Sequence, residues 1–220
     1  MRAADLISDE IPTLEGGDNG LFAMQLLDEY KMKQLPVADG NEFLGMISDS
    51  AVLELENPES PLRNESRHLQ MVYVQQDQHV YDLIRVAAEF QLSAIPILDN
   101  ENKYMGAVSI YCMVRELAEL ASVNQPGGIL VLELSQNDYS LSEISQIVEG
   151  NDGKILSANI TSAADSEKME LTLKLNFTNI DAIIQTFNRY DYIISASYHV
   201  SDYDDMIKNR YDELMRYLNI

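Results

Sequence analysis

The side chains able to perform chemistry are few in this chain, and their spacing removes most reactions. His68, His79 and His199 stand far apart, and none has a His or Cys partner at the one-turn spacing that holds a metal. Cys112 is the only cysteine, which excludes an intramolecular disulfide and fits a reducing compartment. Its apolar-rich stretch predicts a buried thiol, since a reactive one needs an electropositive, accessible setting. Asp99-Asn-Glu-Asn-Lys103 opens like a calcium loop, but a lysine holds its fifth position and no glutamate closes it, so it reads as a hairpin turn. There is no G-x-x-x-x-G-K-[ST], no G-x-S-x-G and no H-E-x-x-H. The expectation is a non-enzyme with no catalytic residue and no metal site. Two serines remain. Ser48 closes Gly45-Met-Ile-Ser48 and Ser109 closes Gly106-Ala-Val-Ser109, each ahead of a helical stretch whose first N–H groups favour anions.

Composition narrows the ligands. Fifteen basic residues against 36 acidic ones give a formal charge of −21 over 220 residues, which repels a phosphate backbone at every approach and argues against nucleic acid. A small anion needs only one local cation and a few N–H groups, so it stays open. No run approaches the about 18 apolar residues of a membrane span. The N-terminus turns acidic at once and has no apolar core of signal-peptide length. A cytoplasmic protein without a membrane partner is expected. With 46% hydrophobic residues the chain can build real cores. Its length suits one large domain or two to three small ones.

The two serines belong to a repeat of about 60 residues. QLPVADGNEFLGMIS at 34–48 and AIPILDNENKYMGAVS at 94–109 share an apolar residue, a proline, two apolar residues, an aspartate, a polar turn, a glycine, two apolar residues and a serine. Pro36 aligns with Pro96, Asp39 with Asp99 and, after one inserted residue, Gly45 with Gly106. Upstream, Met24, Leu27, Tyr30 and Met32 meet Ile84, Ala87, Phe90 and Leu92. Each copy reads as a helix capped by Asp18 or Asp77, a strand from the proline (36–38, 96–98), a second strand (44–48, 104–109) and a closing helix, short at Ser50–Leu55 and long at Ile110–Ala121. The polar, proline-bearing stretch 56–70 joins the copies.

These segments resemble a tandem pair of cystathionine-β-synthase-type (CBS) domains, on x-[LI]-P-[VI]-x-D followed by G-x-[IV]-S, given twice. The resemblance implies repeat one over 1–55, a linker over 56–70 and repeat two over 71–122. It also implies a regulatory module whose cleft binds AMP, ATP or an adenosyl ligand. The cleft would be lined by Thr13, Lys33, Pro36, Val37, Ser48, Ala51, Ile95, Ile97, Ser109 and Cys112. Lys33 either faces a phosphate or is a solvated loop lysine. The family's G-x-[IV]-[TS]-x-x-D supplies a hydroxyl and an aspartate, the carboxylate accepting both ribose hydroxyls. Here the aspartate positions hold Ala51 and Cys112. Neither can accept those protons, and a buried hydroxyl left unpaired costs about 1–3 kcal/mol.

After Asn124-Gln-Pro-Gly-Gly128 the period changes. ILVLEL reads as a buried strand and YSLSEISQIVEG as a helix with Leu141, Ile144, Ile147 and Val148 on one face, opened by the capping box Ser140–Glu143. KILSANIT is a strand, and MELTLKLNF is one with strict alternation. A helix opens at Thr178, and YIISASYHV is the last strand. The order βαββαβ is ferredoxin-like. Following a CBS pair, it resembles an ACT domain over 128–200. The whole is similar to bacterial CBS–CBS–ACT proteins of the acetoin-utilisation regulatory type. The family's D-x-x-G-x ligand loop lacks its glycine here, leaving Asp138 and Ser140 as the ligand candidates. Asp202–Ile220 sets Ile207, Tyr211, Leu214 and Leu218 on one stripe and predicts a C-terminal helix over 201–220.

The fold class is therefore α+β, with two βαββα repeats, a ferredoxin-like domain and a C-terminal helix. Two functions fit. One is a non-catalytic sensor that binds an adenine nucleotide or relative in the CBS cleft, and an amino acid at the ACT domain, and signals to a partner protein. The other is a dimerisation scaffold with degenerate pockets. A homodimer is expected in either case.

Overall fold

The computed structural model describes residues 1–135, 137–162 and 168–199. The helix expected over 201–220 lies outside the described residues. Contacts divide the chain into two units, Met1–Glu116 and Leu117–Ile220.

The first unit holds the repeat, apart from the end of its last helix, Leu117–Leu120. Copy one runs β1 (Leu14–Glu15), α1 (Gly20–Glu29), β2 (Gln34–Asp39), β3 (Glu42–Ser48) and α2 (Asp49–Leu53). Copy two runs β4 (Val74–Gln75), α3 (Val80–Phe90), β5 (Ala94–Leu98), β6 (Tyr104–Ser109) and α4 (Ile110–Leu120). The sheets are ordered β1-β2-β3 and β4-β5-β6, each with one parallel and one antiparallel pairing. The strands begin earlier than the prolines suggest, so Pro36 and Pro96 lie within them. β1 pairs only with Val37 and Ala38, and β4 only with Ile97 and Leu98. Each proline therefore sits beyond the parallel ladder, where a missing N–H is tolerated.

The expected caps differ too. Asn19, not Asp18, accepts the Phe22 N–H ahead of α1, and His79, not Asp77, accepts the Tyr81 N–H ahead of α3. Asp18 instead accepts the Glu15 N–H one turn earlier. Asp99 accepts the Glu101 and Lys103 N–H groups, as a hairpin turn requires.

The cores cross over between copies. Ala3 and Leu6, from the start of the chain, pack in the core of copy two with Val80, Leu83, Ile95, Ile97 and Val108. Leu62 and Leu69, from the connecting stretch, pack in the core of copy one with Leu14, Leu35, Val37 and Ile47. Ser8 bridges Ala107, and Gln70 bridges Met46 with reciprocal N–H···O bonds of 2.9 and 2.8 Å. Both contacts run past the repeat's glycine. Gly45 and Gly106 hold φ of +139° and +137°, which side chains rarely adopt. A Cβ on Gly106 would stand 2.7 Å from Ile7, and one on Gly45 2.8 Å from Leu69. The glycine of G-x-[IV]-S is thus a landing place for a segment from elsewhere in the chain.

The second unit runs β7 (Ile129–Ser135), α5 (Leu141–Glu149), β8 (Ile155–Ser162), β9 (Lys168–Leu175), α6 (Asp181–Arg189) and β10 (Ile193–Tyr198). Its antiparallel sheet is ordered β10-β7-β9-β8, the ferredoxin-like arrangement. β7 is buried on one face only. Leu130, Leu132 and Leu134 enter the core while Ile129, Val131 and Glu133 stay half-buried, so its apolar run does not mark a strand covered on both faces. Ile144, Ile147 and Val148 of α5 and Ile183 and Phe187 of α6 fill the helix side, with Leu141 left exposed. α6 begins three residues later than Thr178 suggests, with Asn179 accepting the Asp181 N–H.

Gly106→Ala should lower stability by about 1–3 kcal/mol, read as an earlier denaturant midpoint with unchanged slope. Gly17→Ala, which meets only the far end of Arg63, should leave the midpoint in place.

Candidate functional site

Both repeat serines cap the helix that follows them. Ser48 accepts the Ala51 N–H at 3.0 Å and Ser109 accepts the Cys112 N–H at 3.1 Å. This is ordinary capping, worth about 1 kcal/mol each. It uses an acceptor lone pair and leaves the O–H to donate. Ser48 shares its hydroxyl with Ser50 at 2.9 Å. Ser109 instead faces a cavity of about 400 Å³ lined by Asp5, Leu6, Ile7, Ser8, Glu10, Tyr111, Cys112 and Arg115.

That cavity exists because the first residues of the chain lie over Gly106 and the start of α4. Its lining carries one cation, three hydroxyls and two carboxylates. Arg115 sits one turn along α4 from Cys112, its Nη2 3.4 Å from the thiol sulfur, while its Nε meets Glu116. Cys112 is buried and its thiol donates to the Leu6 carbonyl, so it is a packing group between α4 and the N-terminal segment. Asp5 accepts the Arg2 backbone N–H and its guanidinium, which together hold its carboxyl below the ordinary value and keep it ionised. Arg115 is visible in the sequence only as a basic residue one turn beyond Cys112. Asp5 and Ser8 carry no local signal, because about 100 residues separate them from α4.

The other expected cleft residues are dispersed. Val37, Ile95 and Ile97 have no exposed surface and serve the cores of their sheets, with Pro36 buried beside them. Ala51 is half-buried in α2. Lys33 is exposed between α1 and β2, its carbonyl accepting the Asp49 N–H. Thr13 points elsewhere, its hydroxyl 2.9 Å from the Tyr104 phenol of the other copy. Tyr104 also stacks on Phe43 at 5.7 Å between ring centroids and donates its backbone N–H to Asn41. Thr13 thus fastens one hairpin to the other.

In the second unit the structure brings Asp138 and Ser140 together. They line a cavity of about 600 Å³ with Glu133, Glu143, Asp191 and Tyr192. Ser140 accepts the Glu143 N–H as the cap of α5, and Ser135 donates to Asp138 at 2.6 Å. Burial raises the Tyr192 phenol above its ordinary value, and the charges of Glu143 and Asp138 add to the effect. The setting is acidic.

The histidines serve locally: His79 is a cap, His68 lies 3.4 Å from Glu65, and His199 lies 2.9 Å from Asp181. Among the described residues no group of three or more His, Cys, Asp or Glu side chains is placed to hold a metal, and no helix is long and apolar enough to cross a membrane.

Residues 3–57 and 67–119 each match the family model of the CBS domain. The chain carries a tandem CBS domain pair. Among solved structures, a CBS domain pair/ACT domain protein of Thermotoga maritima is similar at 20% identity, covering 54% of this chain and 98% of that one, with a TM-score of 0.48. CBSX2, solved in complex with AMP, is similar at 20% identity over 56% of this chain and 98% of its own, with a TM-score of 0.43. The cytosolic domain of the Mg²⁺ channel MgtE, solved with ATP, is similar at 19% identity over 52% of this chain and 48% of its own, with a TM-score of 0.43. The two copies differ after their serines: Ser109 borders the 400 Å³ cavity and precedes an eleven-residue helix that carries Arg115, whereas Ser48 precedes a five-residue helix.

Burial holds the Tyr104 proton above the ordinary value of 10.0, with the Thr13 hydroxyl pulling partly back. The folded value exceeds the unfolded one, so this contribution is whole below pH 10.0 and is lost as pH rises from there through the folded value. Tyr104→Phe should flatten that part of the stability slope, leaving the part due to Tyr192, and cost about 1 kcal/mol for the lost hydrogen bond. Denaturant melts on both sides of pH 10.0 check this.

Proposed function

We propose that this protein is a cytoplasmic, non-catalytic regulator that binds an adenine nucleotide or related adenosyl ligand in the second cleft of its CBS pair and passes the signal to a partner protein. One observation carries the reading: Ser109, Cys112 and Arg115 at the first turns of α4 share a cavity with Asp5 and Ser8. Its volume lies within the range of about 300–1,000 Å³ usual for small-molecule sites. The Arg115 guanidinium suits a phosphate through parallel N–H···O bonds, and the Ser109 O–H adds a donor at the helix start. Cys112 cannot accept ribose hydroxyls, but Asp5 and Glu10 line the same space with acceptors. Lys33, exposed and bonded through its carbonyl to the Asp49 N–H that follows Ser48, would give the first cleft at most one cation. A ligand acts on the protein only by binding one arrangement of the N-terminal segment and α4 more tightly than another.

The second unit is proposed as an ACT-type domain. An amino acid in its 600 Å³ cavity would set its ammonium group against Asp138 and Glu143, with Ser140 at the rim. Homodimerisation is part of the proposal: Leu53, Tyr111 and Val114 leave 79%, 85% and 59% of their surface exposed on helices of the first unit, where a second copy would bury them. A second reading, the dimerisation scaffold, is favoured by the capping of both serines and by the missing aspartates at Ala51 and Cys112.

A thermal-shift series separates the two. AMP, ATP or an S-adenosyl compound should raise the melting temperature of the native chain, because a ligand specific to the folded state stabilises it. Arg115→Ala should weaken AMP about tenfold or more, a loss of about 1.4 kcal/mol, while adenosine loses less. Lys33→Ala should leave AMP unchanged. No shift with any of these ligands at millimolar concentration leaves the scaffold. Sedimentation as a monomer at micromolar concentration removes the dimer from both readings.

A further inference from the structure

The 400 Å³ cavity at the start of α4 holds an uneven set of charges. Among the described residues Arg115 is the only cation in its lining, against the carboxylates of Asp5 and Glu10. These three are not equally committed. Arg115 shares its Nε with Glu116 at 3.4 Å, which leaves its Nη groups toward the cavity side of Cys112. Asp5 is paired with Arg2, and that guanidinium offsets its charge. Glu10 has no ion pair among the described residues, and only its backbone N–H is bonded, to the Ser8 Oγ at 3.2 Å. One negative charge in the lining is therefore uncompensated.

The other copy shows that packing does not require it. Ser8 lies against Ala107 as Gln70 lies against Met46. Counted from these bridges, Arg67 takes the place of Asp5 in the other copy and Val72 takes the place of Glu10. Counted from the serines, Glu54 takes the place of Arg115. Val72 is buried in a core, whereas Glu10 is exposed and borders the cavity. The fold accepts an apolar residue at this position, so the carboxylate serves the cavity rather than the scaffold.

We propose that Glu10 sets how many phosphates the second cleft accepts, admitting a nucleoside monophosphate and repelling a di- or triphosphate. The inference rests on the nucleotide reading of that cleft and adds the residue that sorts its ligands. Arg115 and the Ser109 hydroxyl serve one phosphate, which carries about −1.5 to −2 at pH 7. The segment that crosses Gly106 presents Asp5 before Ser8 and Glu10 after it, so the two carboxylates bracket that hydroxyl. A phosphate chain growing from Arg115 finds no second cation in the lining. Toward Asp5 the acid is offset by Arg2. Toward Glu10 nothing offsets it, and each added phosphate raises the repulsion. An unpaired like charge discriminates in this way without improving any contact to the preferred ligand.

Equilibrium binding of AMP, ADP and ATP to the full-length chain tests this, with EDTA present so that no divalent ion masks the phosphates. Affinity should fall in that order. Glu10→Gln should narrow the AMP-to-ATP preference about fivefold or more. Asp9→Asn removes the same charge from the adjacent residue, which lies outside the lining, and should leave the preference in place. Thermal melts of both unliganded variants should match the parent. A parent chain that binds ATP as tightly as AMP overturns the proposal. A preference that Glu10→Gln leaves unmoved, or that Asp9→Asn narrows equally, overturns it too. Binding of none of the three nucleotides sinks the nucleotide reading itself, a result distinct from any change in their order.

Discussion

Two short backbone bridges decide the architecture of the CBS pair. Ser8 on Ala107 and Gln70 on Met46 each bring a segment from one part of the chain onto the hairpin of another. They can form only because Gly106 and Gly45 offer no Cβ at the crossing. Through them Ala3 and Leu6 enter the core of copy two, while Leu62 and Leu69 complete that of copy one. Neither copy closes its core with its own residues alone. A buried Leu or Val is worth about 1.5–3 kcal/mol, so the exchange makes the two copies one cooperative unit rather than two small domains of marginal stability. Thr13, Tyr104 and Phe43 fasten the two hairpins at a further point.

The same crossing creates the cavity. By lying over Gly106, the N-terminal segment sets Asp5 and Ser8 opposite Ser109 and Arg115, so polar groups about 100 residues apart face one space. Ser109 spends one lone pair capping α4, and Cys112 packs its thiol on the N-terminal segment. What remains is a guanidinium, the hydroxyls of Ser8, Ser109 and Tyr111, and the carboxylates of Asp5 and Glu10. The guanidinium is a local positive charge in a chain of net charge −21.

The second unit follows a simpler rule. Strict alternation along β9 buries Met169, Leu171, Leu173 and Leu175 and presents Glu170, Thr172 and Lys174 to the other side. β7 alternates in burial but not in composition, since Ile129 and Val131 are apolar on the outward side. That mismatch between composition and burial sets β7 apart from the strictly alternating β9.

The repeat, its element order and the βαββαβ succession were legible in the sequence, because helical and strand periodicities are local and the Pro-x-x-Asp and Gly-x-x-Ser spacings recur. Ends of elements were less legible: Asn19 and His79 cap helices where aspartates one or two residues earlier were expected, since the cap is chosen by where the backbone turns. The site was legible in part. Ser109 and Cys112 follow from the repeat, and Asp138 and Ser140 from the strand–helix loop, but Val37, Ile95 and Ile97 proved to be core, and Thr13 binds Tyr104. Sequence alone determines which residues a local segment can offer. Only the tertiary structure decides which distant segment crosses a glycine and what it sets beside the serine, because that contact is made through space and leaves no periodic trace along the chain.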